Sequence, residues 1–142
     1  MWLNRICVAG LSLLPLIALA QQESALTMKQ IMLERVHPAA NEILLAAFRG
    51  APDGEKGWGK VSESASALKE AANLLKTKNS QPEWISAAAV LSAAAEEAYK
   101  AAQAKNQRLL PAIATRIDAS CTECHKRYRP NVFPPEGKGG AE

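Results

Sequence analysis

Between Val61 and Leu75 the chain places Val61, Ala65, Leu68, Ala72 and Leu75 at alternating steps of four and three residues. Such a stripe gathers on one side of an α-helix and is scattered over both faces of a strand, so this segment must pack against other helices. Three more segments carry related patterns. From about Glu23 to Phe48, Met28, Ile31, Met32, Val36, Ala39, Ala40, Ile43, Leu44, Ala47 and Phe48 recur at helical spacing. From Pro82 to about Ala104, Ile85, Ala88, Leu91, Ala95, Ala98 and Ala102 are expected to point inward. After Asn106, a candidate cap, Leu110, Ile113, Ile117, Cys121, Cys124 and Tyr128 line one side of a fourth helix. Glycine and proline cluster between these segments, at Gly50-Ala51-Pro52-Asp53-Gly54 and on through Gly57-Trp58-Gly59, and again at Asn79-Ser80-Gln81-Pro82. Trp58 is expected to lie in the first of these loops as a lid on the end of the core. Pro38 falls inside the first pattern and should kink or break the helix near residue 37. Abundant alanine and few β-branched residues agree with an all-α fold. Four amphipathic helices joined by short turns lead to an antiparallel four-helix bundle.

The first 20 residues are set apart. Arg5 is followed by an apolar run from Ile6 to Leu19 and then Ala18-Leu19-Ala20, the layout of a secretory signal peptide. The run contains Pro15 and is shorter than the roughly 20 residues of a membrane span. Cleavage after Ala20 is expected, with an uncleaved anchor as the alternative, and Cys7 leaves with the leader. The remaining chain reads as one domain, 21–129, and a flexible tail, 130–142, rich in proline and glycine. The leader takes one of 17 basic residues and none of the 14 acidic ones, which leaves a net charge of +2. No broad basic field points to nucleic acid, and nothing beyond the leader points to a membrane.

The mature chain keeps two cysteines, both in Cys121-Thr122-Glu123-Cys124-His125. The spacing C-x-x-C-H is the attachment signature of a c-type haem, in which two thiols add across the porphyrin vinyl groups and the adjacent imidazole ligates iron. On a helix, positions 121, 124 and 125 share a face and can address one macrocycle. A redox dithiol is expected beside a βαβ pattern, which this sequence lacks, and a zinc site needs a fourth ligand. The only other histidine is His37.

A bundle-length chain behind a signal peptide, with Cys-Thr-Glu-Cys-His-Lys-Arg-Tyr-Arg near its C-terminus, resembles the cytochrome c′ family, the class II c-type cytochromes that include low-spin methionine-ligated relatives. The resemblance implies an all-α, antiparallel four-helix bundle with one covalently attached haem c, held by Cys121 and Cys124, with His125 as the proximal iron ligand. It also implies a role for Arg129 beside the proximal imidazole. In this family the distal face comes from the first helix, where a methionine ligates iron or an apolar side chain leaves the position open. Lys29-Gln30-Ile31-Met32-Leu33 resembles the family's distal run in two registers: one points to Met32, the other to Leu33. Met32 is favoured as the sixth ligand, with Met28 behind it. His37 ranks below both, because the turn to residue 37 rotates it well away from the Met32 face and Pro38 disturbs the helix there; an exposed, loop-like histidine is its expected role.

These readings imply a periplasmic electron carrier, not an enzyme. Its partners would be redox proteins; the basic residues Lys126, Arg127 and Arg129 would neutralise propionates, dock an acidic partner or simply form a solvated helix end. The alternative is a protein that binds nitric oxide or carbon monoxide at a vacant distal site, favoured if Leu33 covers the iron. Small-residue faces on the first two helices permit a homodimer.

Overall fold

The computed structural model describes residues 26–131. The expected leader, 1–20, and the tail from residue 132 onward lie outside the described residues. Among the described residues all regular structure is helical, and four long helices pack against one another as a bundle.

Helix α1 occupies 28–48 as three joined pieces: an α-helical turn Met28–Gln30, a π-helical stretch Ile31–Val36 and an α-helix His37–Phe48. Its start is fixed by a capping box. Thr27 Oγ1 accepts from the Gln30 backbone N–H at 3.2 Å, and Gln30 Oε1 accepts from the Thr27 N–H at 3.0 Å. Helix α2 is Gly54–Lys76 and helix α3 is Pro82–Gln103, with proline in its first turn, where no intrahelical N–H is needed. A 3₁₀ turn, Gln107–Leu109, leads into α4, Leu110–Tyr128.

Cross-helix hydrogen bonds run in opposed register. Gln103 donates to Ser62 at 2.8 Å, Lys69 donates to Glu96 at 2.6 Å, and Trp84 Nε1 donates to the Leu75 carbonyl at 2.6 Å. Partners thus descend in α3 as they ascend in α2, so the two helices are antiparallel. Helices α1 and α4 are also antiparallel, with Gln107 bonded to the Ala46 carbonyl at one end and His37 facing His125 at the other. Each helix packs on its neighbour in sequence, and α4 closes back on α1.

The α2 stripe is buried in full: Val61, Ala65, Leu68, Ala72 and Leu75 all lie in the core. Ile31, Ile43, Leu110 and Ile117 fill the space opposite, and Ala94, Ala95 and Ala98 let α3 come close. No helix of the described residues is long and apolar enough to cross a membrane.

Three expectations about the helices need correction. Gly57-Trp58-Gly59 is not loop: α2 begins at Gly54, and Trp58 is buried on it. The helix can start there because Gly57 lies against Pro52, where an added Cβ would come within 3.0 Å of the Pro52 carbonyl carbon. On α3 the inward residue of the first turn is Trp84, not Ile85, which is 40% exposed. The indole carries more apolar surface and its N–H is anchored on Leu75, so it takes the core position. Finally, α1 does not break at Pro38: its helical pieces follow one another without interruption from Met28 to Phe48. The π-helical stretch absorbs the proline, and the backbone N–H of His37 bonds back five residues to the Met32 carbonyl.

Candidate functional site

The face of α4 that buries Ile113 and Ile117 continues through Cys121, Cys124, His125 and Tyr128, all of them half-buried. Two adjoining spaces open beside this face. The inner one is a small cavity of about 60 Å³ between α1, α3 and α4. Cys121, Cys124 and His125 line it from α4, Met32, Val36 and His37 from α1, and Trp84, Ala88 and Leu91 from α3. The outer one is a groove of about 590 Å³, inside the range of small-molecule and cofactor sites. It is walled by Met28, Met32, Leu33 and His37 on one side and by Cys124, His125, Tyr128 and Arg129 on the other. Met32, His37, Trp84, Cys124 and His125 belong to both.

The protonation state of these groups follows from their surroundings. Burial raises the Cys121 thiol above its ordinary value, and the carboxylate of Asp118 and the neighbouring Cys124 raise it further. Burial raises Cys124 as well. Both shifts favour the thiol over the thiolate, and the two sulfurs are not joined to each other. This is the opposite of the electropositive, thiolate-stabilising setting of a redox-active or metal-binding cysteine pair. His125 is lowered below its usual range, first by burial and then by the charges of Arg129 and His37. That keeps its imidazole neutral, the form that ligates metals. No three His, Cys, Asp or Glu side chains among the described residues are grouped to hold a bare metal ion.

Trp84 forms the floor. Its indole is fixed by the Leu75 carbonyl, and it meets Tyr128 edge to face with ring centroids 4.9 Å apart. The Tyr128 hydroxyl is buried without a hydrogen-bond partner, on a residue that lines the outer groove. An orphaned donor of this kind is costly unless something in the groove accepts from it. Arg129 ends α4, its backbone N–H bonded to the His125 carbonyl at 2.8 Å, and its charge acts on the His125 ring.

The structure thus brings together the residues singled out in the sequence: Cys121, Cys124, His125, Arg129, Met28, Met32 and Leu33 all line one or both spaces. It also adds His37. The ring of His37 lies across from that of His125 with centroids 6.4 Å apart and planes inclined at 64°. The expectation that residue 37 turns away from Met32 fails for a definite reason. In an α-helix five residues turn through about 500°, which leaves a side chain roughly 140° off. The π-helical stretch closes its ring over five residues instead, and the two positions come onto neighbouring faces. A proline inside an otherwise continuous helical pattern was the available signal, since such a residue can be absorbed by a register shift as well as by a break.

No protein-family model matches this chain, and neither do the curated proteins or the solved structures compared with it.

Proposed function

We propose that this chain is an exported monohaem c-type cytochrome that carries single electrons, with the architecture of the class II family. The observation that carries the reading is the convergence of Cys121, Cys124 and His125 on two adjoining spaces closed by α1: Cys121 lines the small cavity, and Cys124 and His125 line both that cavity and the cofactor-sized groove. The chemistry of the donors supports it. Reduced cysteines that are not joined to each other suit addition to vinyl groups, and a neutral imidazole suits iron. The unpartnered Tyr128 hydroxyl suits an acceptor such as a propionate carboxylate at the groove.

Cys121 and Cys124 would hold the haem through thioethers, and His125 would ligate its iron. Bound haem supplies the ferrous–ferric couple. The protein's share is to fix the proximal imidazole on a helix, to exclude water with Trp84, Ala88 and Leu91, and to hold a second ligand from α1 in place so that little moves when the electron arrives. Arg129 places positive charge beside the proximal ring, which tunes its donor strength. Lys126, Arg127 and Arg129 are exposed at the end of α4, with Arg129 lining the groove, and an acidic face on a partner protein can dock there.

The small apolar cavity beside the imidazole favours the second reading, capture of nitric oxide or carbon monoxide, if α1 leaves the sixth position open. A redox titration of protein matured in a host competent for c-type cytochromes separates the two. The electron carrier shows a reversible one-electron couple and a ferrous spectrum unchanged by carbon monoxide. A ferrous form that binds carbon monoxide stoichiometrically contradicts it and supports gas binding.

A further inference from the structure

We propose that His37, and not Met32, is the sixth ligand of the iron, making the site a bis-imidazole centre. This rests on the haem reading above and deepens it. A metal–imidazole bond is about 2.0 Å, and a ring nitrogen lies about 1.1 Å from its ring centre, so two imidazoles on opposite sides of one metal have centroids about 6.2 Å apart. His37 and His125 stand at 6.4 Å. Trans ligands need only contain the metal axis in their planes and are free to rotate about it, so the 64° between the rings is admissible.

Aromatic rings that merely touch also fall between about 4.5 and 7 Å, so the distance alone does not decide. Two further observations do. Both imidazoles line the same pair of adjoining spaces, the ones that also receive Cys124. And His37 is there because of a local departure from α-helical geometry: the six residues Ile31–Val36 form a π-helical stretch, a feature that is rare and concentrated at functional sites. Met32 supplies the carbonyl that accepts the His37 N–H, and its half-buried side chain serves as apolar wall. The two chemistries predict different behaviour. Thioether ligation raises the potential of a c-type haem, so replacing it by imidazole gives a carrier working at lower potential. The one-electron change is confined to the iron, and no bond forms or breaks.

The test uses the full chain, matured with haem, as wild type and as His37→Ala, Met32→Ala and His37→Met variants. Visible and near-infrared absorption, electron paramagnetic resonance and carbon monoxide binding are recorded. The wild type should be low-spin and lack the near-infrared band of sulfur-ligated ferric haem. His37→Ala should become high-spin and bind carbon monoxide, and added free imidazole should restore the low-spin spectrum, which separates loss of a ligand from loss of the fold. Met32→Ala should keep the wild-type spectrum, and His37→Met should gain the sulfur band with a raised midpoint potential. The sulfur band in the wild type, lost in Met32→Ala and kept in His37→Ala, overturns the proposal while leaving the carrier reading intact. A high-spin wild type that binds carbon monoxide overturns both. Wild-type protein without covalent haem, seen as no haem stain after denaturing electrophoresis, removes the reading on which the proposal rests.

Discussion

Helices α2 and α3 form one half of the bundle, and α1 and α4 the other, and the two halves are built differently. The α2–α3 half is regular: two uninterrupted α-helices of 23 and 22 residues, joined along an alanine-rich seam and laced by Lys69–Glu96 and Trp84–Leu75. The α1–α4 half is irregular. Helix α1 contains a π-helical stretch against Pro38, and α4 begins in a 3₁₀ turn beside Pro111. Cys121, Cys124, His125, Met32 and His37 all belong to this second half, and the first contributes only the walls, through Leu75, Trp84, Ala88 and Leu91. Regular helices give a rigid frame at low cost. Bringing the His37 ring opposite that of His125 takes a local shift of register that a regular helix does not provide.

The comparison can be broken at several points. Cys121→Ala with Cys124→Ala should produce the largest effect, complete loss of covalent haem with a far-ultraviolet circular dichroism spectrum that stays helical. Pro38→Ala comes next. It restores the backbone N–H and removes the ring that crowds the preceding turn, so the α1 register should relax toward α-helix. A mixture of low-spin and high-spin haem is expected in the visible spectrum, with attachment unaffected. In the frame, Leu68→Ala empties a fully buried position and should cost about 2–5 kcal/mol in denaturant unfolding. It should leave the iron spectrum unchanged, because Leu68 lines neither space. Trp84→Phe is the mildest. It keeps most of the apolar wall but strands the Leu75 carbonyl, for about 1–3 kcal/mol. A change of iron ligation in Leu68→Ala, or none in Pro38→Ala, would mean that the two halves do not divide the work as described.

The regular half was legible in the sequence almost residue by residue. Alternating steps of four and three named the buried α2 stripe because an unbroken helix obeys a single period, and the same rule found Ala88, Leu91, Ala95, Ala98 and Ala102 on α3. It missed Trp84, since periodicity alone cannot choose between adjacent residues and the choice was made by a hydrogen bond to another helix. The grouping on α4 was equally plain, because Cys121, Cys124 and His125 are close in sequence and share one face of an unbroken helix. His37 was not. Its position depends on how the backbone accommodates Pro38, and a break, a kink or a π-helical shift share one sequence and differ only in packing against α4.

The most direct measurement is the intact mass of the protein matured in a competent host, taken under denaturing conditions with a thiol-alkylating reagent present. The account expects one species, heavier than the polypeptide by one haem, in which neither Cys121 nor Cys124 reacts with the reagent. A polypeptide of unmodified mass that takes up reagent at both cysteines would contradict it.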